Sequence, residues 1–162
     1  MTNSDAQQQL DQCEAELDEI QKIIDELKQT HSIAPYLTNY AIIKCCWTIE
    51  IWFKSIIFDF HGSAHLQAKN YIEKVFYDSS MNPSLSNIRN TLKKFDDNWY
   101  SDFETELDLL ADREKVLLSL SSLNTERNKI AHWKNTSIWL AQVRVYFLDS
   151  RKIIEIIDSI IK

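Results

Sequence analysis

The first thirty residues carry apolar side chains at a regular spacing within an otherwise polar segment. The apolar positions follow at steps of three, four, three, four and three residues, and are Leu10, Cys13, Leu17, Ile20, Ile24 and Leu27. This period is a heptad seam, and it predicts a helix over about residues 5–29. Such a narrow stripe fits either a helix packed along the rest of the chain or a coiled-coil contact with another chain.

The rest of the chain also follows the helical period. From Pro35 to about Phe60 the sequence is apolar nearly all round, which predicts a central core helix with Pro35 in its first turn and a C-terminal cap at His61-Gly62. Further helices are predicted at about residues 64–77, at about 84–94 with a start at Asn82-Pro83 or Ser84, at about 100–132 with a bend near Asp112, and from a cap at Asn135-Thr136 to the C-terminus.

Composition supports a helical fold and excludes several classes of protein. The 162 residues include one glycine and two prolines. Tight hairpins and phosphate-binding loops need several glycines, so a dinucleotide-binding fingerprint and a P-loop are excluded and a many-stranded sheet is disfavoured. We expect an all-α bundle of about five to six helices.

No apolar run reaches the roughly 20 residues of a membrane span, and the N-terminus is polar rather than a secretory signal. We therefore expect a soluble, cytoplasmic protein without a membrane partner.

Charge is unevenly distributed along the chain. The net charge is −6, and residues 1–30 contain eight acidic and two basic residues, so this segment accounts for all of it. The remainder is balanced and lacks the broad basic surface of a high-affinity nucleic-acid binder, although one local phosphate site remains compatible with it. Three cysteines, of which Cys45 and Cys46 are adjacent, predict buried thiols rather than a disulfide framework.

The residues with the clearest chemical character lie near the end of the 100–132 stretch. Arg127 continues an apolar stripe formed by Leu120, Leu123 and Ile130, and burying a guanidinium there is costly unless it binds something. Asn128 and His132 are four residues apart, so the amide can orient the imidazole. Arg127 and His132 are five apart, about 140° around the helix axis, and converge only if the helix frays or a second chain joins them.

These residues carry a family resemblance. The segment LNTERNKIAHW contains an arginine followed by Asn128, three further residues and His132, and it resembles the ribonuclease motif of the HEPN superfamily. The stretches CCWTIEIWFKSII, which contains Glu50, and NPSLSNIRNTLKKF resemble the RiboL-PSP type of HEPN domain, and the likeness spans roughly residues 36–160. Trp133 stands where the family often has glycine. We therefore expect an acidic N-terminal helix, residues 1–30, added to a HEPN-like up-and-down helical domain, residues 31–162.

The resemblance implies a metal-independent endoribonuclease of toxin or antiphage-defence type, commonly a homodimer, with RNA as substrate, no cofactor, and an antitoxin or defence-system protein as partner. Arg127 and His132 would be catalytic, with Asn128 orienting and Glu50 supporting. Arginine clamps phosphate oxygens, and histidine can carry a proton near neutral pH. Since one histidine cannot act as base and acid at once, we expect a site built by two chains. The alternative function is a non-catalytic HEPN-like module that binds RNA or a partner protein.

Each candidate also has a structural explanation. Arg127 could pair internally with Glu50, and His132 could be a helix C-terminal cap. Further candidate substrate contacts are Lys129, Trp133, Arg89 and Asn90. Trp133 would stack on a base or pack against the protein, and the Arg89-Asn90 pair would line a groove or belong to a solvated helix surface. His61 and His65 are interrupted by Gly62 and lack a third ligand, so no metal site is expected.

Overall fold

The computed structural model describes residues 4–162, and their side chains from Gln7 onward. Within this range the chain forms seven α-helices and no β-strand, which confirms the predicted all-α class. The helices are α1 (Ser4–Leu27), α2 (Ala34–Phe60), α3 (Leu66–Ile72), α4 (Leu85–Phe95), α5 (Asp97–Leu109), α6 (Arg113–Ala131) and α7 (Leu140–Ile160). The additional helix arises because the predicted bend near Asp112 is a complete break: Leu110 has extended backbone and ends α5.

Helix α2 is the centre of the bundle, as its all-round apolar sequence predicts. It packs against α1, α6 and α7, and its buried side chains include Trp52 and Phe53. Burying one large apolar side chain contributes roughly 1.5–3 kcal/mol, so contact with three neighbouring helices places much of the stabilising area on this one element. The face of α2 that α1, α6 and α7 leave uncovered is the one on which the candidate site is built.

Helix α1 packs lengthwise against α2 and α7. Five of its six seam residues are buried, and they are Leu10, Cys13, Leu17, Ile20 and Ile24. This confirms the interpretation of α1 as a helix packed along the chain and leaves little of the seam for a coiled coil. Ion pairs from Glu16 to Lys44, Glu14 to Arg151 and Asp18 to Arg144 border the seam. Because partly exposed pairs contribute at most about 1 kcal/mol each, the apolar seam dominates.

The end of α2 and the segment after it differ from the prediction in detail. The helix ends at Phe60 as predicted, but Gly62 does not adopt a left-handed conformation. A Cβ there would lie 3.0 Å from the Asp59 carbonyl oxygen, so close approach rather than positive φ favours glycine. The predicted helix 64–77 begins at Leu66 and ends in a π-helical turn, residues 73–77. This turn leads into the loop 78–84, which reaches the candidate site.

The predicted cap of the last helix is wrong. Helix α7 begins at Leu140, with Trp139 in the capping position, and not directly after Thr136. The Thr136 hydroxyl instead donates a hydrogen bond of 2.7 Å to the Asn39 side chain on α2. The segment 134–139 is a connection without helical structure that Thr136 ties to α2. Ser84, by contrast, caps α4 as predicted, because its hydroxyl accepts the Asn87 N–H at 3.3 Å.

Candidate active site

An open cavity of about 390 Å³ lies between α2, the loop 78–84 and α6. Helix α6 contributes Arg127 to it, while Leu120 and Leu123 on the same stripe are buried in the core. The other lining residues are Ile43, Cys46, Trp47, Glu50, Ile51, Lys54, Tyr77, Asp78, Ser79, Ser80 and Pro83. The stripe therefore continues from the core into the cavity wall, which explains a guanidinium at an otherwise apolar position.

Arg127 is half-buried, and among the residues that the structure describes no carboxylate lies within ion-pairing distance of it. Its hydrogen bond is a long one of 3.4 Å, from Nη1 to the Asn128 side-chain oxygen. A guanidinium has five donors in a planar fork, which match two oxygens of a phosphate or carboxylate. Most of these donors remain available to a ligand in the cavity.

Glu50 lines the same cavity but is not the ion-pair partner of Arg127. One of its carboxylate oxygens accepts hydrogen bonds from Lys54 Nζ and from the Met81 backbone N–H, each at 2.7 Å. The ion pair between Arg127 and Glu50, which the sequence left open as an alternative, is thus absent. Lys54, one helical turn further along α2, neutralises Glu50 instead. Lys54 was missed by the sequence analysis, although a lysine four residues after a glutamate on a helix is a recognisable pairing signal.

Lys54 is the most deeply buried charged group of the site, with 1% of its side chain exposed. Besides Glu50, its amine donates hydrogen bonds to the backbone carbonyls of Tyr77, at 3.3 Å, and Ser79. All three donors of the ammonium group are used, as burial of a charge requires. The Glu50–Lys54 pair therefore fastens the end of the π-helical turn and the start of the following loop to α2, and forms one wall of the cavity.

Two amides on α6 hold the other part of this loop. The Asn124 side chain donates to the Pro83 carbonyl at 3.1 Å. The exposed Asn128 amide contacts Asn82 at 3.5 Å in addition to Arg127. The side-chain contacts of Asn128 are therefore with the loop and with Arg127, and its predicted orienting of the His132 ring is not part of this single-chain arrangement.

His132 lies at the C-terminal end of α6 and is exposed to solvent. It is not among the described residues that line the Arg127 cavity. Its backbone N–H donates to the Asn128 carbonyl at 3.1 Å, so it occupies the helix-capping position that the sequence left open as an alternative. The helix does not fray enough to bring the imidazole to the guanidinium. Within one chain the two motif residues therefore point to different places.

The remaining candidate residues are not among those that line the cavity. Lys129 pairs at 2.6 Å with Glu126, and the fully exposed Trp133 follows His132. Arg89 makes a two-pronged ion pair with Glu104 on α5, at 2.6 and 2.7 Å, and Asn90 is exposed on α4. Two of the five Arg89 donors are thus occupied, and none of these four residues lines the cavity.

A stripe of exposed apolar side chains on α2 leads to the rim of the cavity. Its members are spaced four, three and four residues apart, and they are Tyr36, Tyr40, Ile43 and Trp47. Trp47 and Ile43 also line the cavity, and Lys44 lies over the Trp47 ring, 5.4 Å from its centroid. Trp47, 49% exposed, is a site residue that the sequence analysis did not single out, because half-exposed and buried residues of an all-apolar helix look alike in sequence.

The cavity contains no reactive thiol. Burial raises the pKa of the Cys46 thiol to about 12, with the positive charge of Arg127 lowering it and the negative charge of Glu50 raising it. Cys46 is therefore protonated at neutral pH, and its thiol donates to the Leu123 carbonyl at 3.6 Å. The prediction of a buried thiol at this position is confirmed.

Two further features are absent from residues 4–162. No group of three or more histidine, cysteine, aspartate or glutamate side chains in this range has an arrangement suited to a metal ion. No helix in it combines the length and apolar character needed to cross a bilayer. The candidate chemistry of this part of the chain thus rests on Arg127, Glu50, Lys54 and His132.

The chain matches the model of a known protein family. The family model described as RiboL-PSP-HEPN matches residues 11–162, which includes most of α1 as well as all of α2 to α7. No curated protein and no solved structure matches the chain.

Proposed function

Because the chain belongs to the RiboL-PSP-HEPN family, we propose that it is a metal-independent endoribonuclease that cleaves RNA through attack of the 2′-hydroxyl on the adjacent phosphate. The observation that carries the proposal is the position of Arg127, half-buried at an open cavity without a carboxylate partner among the described residues. A guanidinium that lines an open cavity with most of its donors unused is suited to binding a phosphate.

The first role is the binding of the scissile phosphate by Arg127. Its planar fork holds the two non-bridging oxygens and stabilises the extra negative charge of the pentacoordinate transition state. Glu50 does not touch the phosphate in this scheme. Glu50 accepts a hydrogen bond from Lys54 at 2.7 Å, and the two residues together hold the loop that forms one wall of the cavity. Because the Glu50 carboxylate binds Lys54, it does not pair with Arg127. Glu50 is therefore a positioning residue.

The second role is proton transfer by His132. A base removes the 2′-hydroxyl proton, the oxygen attacks phosphorus, and an acid protonates the departing 5′-oxygen, which leaves a 2′,3′-cyclic phosphate and a free 5′-hydroxyl. Imidazole titrates near neutral pH and can perform either step, but one ring cannot perform both at once. Two copies of His132, one from each chain of a homodimer, supply the base and the acid.

A second copy of the chain also completes the geometry. In one chain His132 lies outside the cavity that contains Arg127, so the site is incomplete without another subunit. The exposed stripe of α2, which ends at the rim of this cavity with Trp47, is the surface on which we place that copy. In the proposed dimer the two His132 side chains meet with Arg127 at one shared site beside the two-fold axis, since a two-fold interface places the same residues of both chains next to the axis.

The experiment is cleavage of an end-labelled RNA in the presence of excess EDTA, followed by identification of the product ends. We expect cleavage to persist, products to end in a 2′,3′-cyclic phosphate, and a 2′-deoxy substitution at the cut site to block the reaction. His132→Ala should be inactive, and His65→Ala, a substitution at an exposed histidine on another element, is the matched control. A requirement for Mg²⁺ with 5′-phosphate products would refute the mechanism.

A non-catalytic RNA-binding or protein-binding module is the second candidate function. It is favoured by the separation of Arg127 and His132 within one chain, since binding through the cavity needs Arg127 alone. The two functions differ in the effect of His132→Ala. A catalyst loses cleavage and keeps RNA affinity, whereas a binding module shows the same affinity in both proteins and cleavage in neither.

The biological role proposed with the activity is that of a toxin or antiphage-defence nuclease held in check by an antitoxin or another defence-system protein. Its support is the family alone. The test is growth of a bacterial host after induced expression. We expect arrest by the wild type, no arrest by His132→Ala, and arrest by the control His65→Ala at equal protein levels.

A further inference from the structure

Trp133 is the most exposed large apolar side chain of the described residues, with 98% of its surface open to solvent. It follows directly after His132 and makes no aromatic contact with any residue in this range. The alternative that it packs against the protein is therefore wrong. An indole left wholly in water contributes to the stability of neither the core nor the helix.

The backbone of Trp133 makes its exposure more unusual. Its φ is +57°, in the left-handed region that side chains other than glycine rarely adopt. Two hydrogen bonds hold it there, from its own N–H to the Ile130 carbonyl at 3.0 Å and from the Lys134 N–H to the Lys129 carbonyl at 2.8 Å. This is a Schellman ending, in which glycine is the favoured residue. The indole is thus attached to a fixed backbone at a position where it lowers stability.

The surrounding charge fits a nucleic acid. The segment 127–139 contains three basic residues, Arg127, Lys129 and Lys134, and no acidic residue, although the chain as a whole carries −6. A second exposed tryptophan, Trp139, ends the segment. Aromatic rings among cations are the arrangement by which proteins hold single strands, since the rings stack on bases and the cations follow the phosphates.

We infer that Trp133 is a stacking platform for an unpaired base next to the phosphate that Arg127 holds at the site shared by the two chains. The inference rests on the proposed function for the location of the phosphate. A base inside a duplex is stacked on both faces and cannot cover the indole without leaving its helix. A fixed backbone lowers the entropy lost when the ring is covered, which is an advantage for binding.

The test measures RNA binding in a His132→Ala background, so that cleavage does not interfere. Fluorescence anisotropy compares an unstructured single-stranded oligoribonucleotide with the corresponding duplex. We expect Trp133→Gly to weaken single-strand affinity roughly 5- to 150-fold, the range for loss of one stacked base, and to leave the weaker duplex affinity unchanged. Trp133→Phe should retain most of the affinity. Tyr71→Ala, which removes an exposed aromatic ring on α3, is the matched control and should have no effect.

The same variant separates binding from a structural role. Trp133→Gly removes the strained conformation, so its melting temperature should rise while its single-strand affinity falls. Equal single-strand affinity of Trp133→Gly and the parent protein would overturn the inference. Loss of the Trp133→Gly dimer in analytical sedimentation would also overturn it, because the ring would then belong to the contact between subunits. If Trp133→Gly loses affinity although the wild type cleaves no RNA, the stacking role stands and the nuclease proposal fails.

Discussion

Lys54 and Glu50 are joined at 2.7 Å across one turn of α2, with 1% of the lysine side chain and 12% of the glutamate side chain exposed. The lysine amine also binds the carbonyls of Tyr77 and Ser79, and the glutamate binds the Met81 N–H. This pair fastens a loop to the core helix in addition to neutralising two buried charges. It also leaves Arg127 as the cation of the cavity without a carboxylate partner in the described part of the chain.

The first prediction concerns the stability of this pair. Lys54→Met and Glu50→Gln should each lower the free energy of unfolding by roughly 3–5 kcal/mol, because each leaves a buried charge without its partner. The double variant should lose less than the sum of the two. Urea denaturation of the four proteins gives the coupling energy, and strictly additive losses would show that the two side chains act independently.

The second prediction separates the role of Arg127 from a structural one. Arg127 has no ion-pair partner within residues 4–162, so its removal leaves no buried carboxylate unpaired. Arg127→Ala should therefore lower the free energy of unfolding by no more than about 1 kcal/mol. Cleavage should fall roughly 10²–10³-fold, as for loss of one donor to transition-state charge. Arg144→Ala, which removes a partly exposed arginine on α7, is the matched control and should cleave normally. A fully active Arg127→Ala protein would remove this residue from the mechanism.

The third prediction tests the shared site. A heterodimer of wild type and His132→Ala contains one of the two proton carriers. Because a general acid or base step contributes roughly 10²–10⁴-fold, the heterodimer should be nearly inactive. The measurement uses differently tagged chains, purified by two successive affinity steps, and compares their cleavage rate with that of the wild-type homodimer. Half of the wild-type rate would indicate two independent sites.

The fourth prediction concerns acid stability at the contact between α1 and α2. Hydrogen bonds from Lys44, at 2.8 Å, and from the Tyr40 hydroxyl lower the pKa of Glu16 below its usual range. A carboxyl group with a lower pKa in the folded protein stabilises the fold at any pH above its pKa in the unfolded chain, which is near 4.3 for glutamate. This stabilisation is lost as the pH falls through the pKa of the folded protein. Wild type should therefore lose stability relative to Glu16→Gln below about pH 4. Parallel pH profiles of the two melting temperatures would contradict this.

Glu16→Gln also tests whether α1 restrains RNA binding. Its carboxylate holds Lys44, whose amine lies over the Trp47 ring at the cavity rim. Releasing Lys44 should raise RNA affinity, most strongly at low salt, where charges are least screened. Deletion of residues 1–30 is not a suitable test, because it would expose the core that the α1 seam covers. Glu19→Gln, which removes a carboxylate paired within α1, is the control.

The helices and the motif could be predicted from the sequence alone, because both depend on local spacing. Apolar residues at steps of three and four placed α1 and α2 within about two residues of their observed ends. The same rule put Arg127 on the core-facing stripe of α6 and separated it from His132 by about 140°. The scarcity of glycine and proline determined the all-α class, since the excluded folds need those residues at specific turns.

The partners of the charged groups depended on tertiary structure. Glu50 accepts the Met81 N–H in addition to its neighbour Lys54, and Thr136 binds Asn39 instead of capping α7. Such partners could not be predicted from local spacing, because residues distant in sequence compete for the same donors and acceptors. The exposure of Trp133 likewise could not be derived from a local pattern, since the same tryptophan could be buried or open at the end of a helix. Helical periodicity is a property of neighbouring residues, whereas the availability of Arg127 is a property of the whole packed chain.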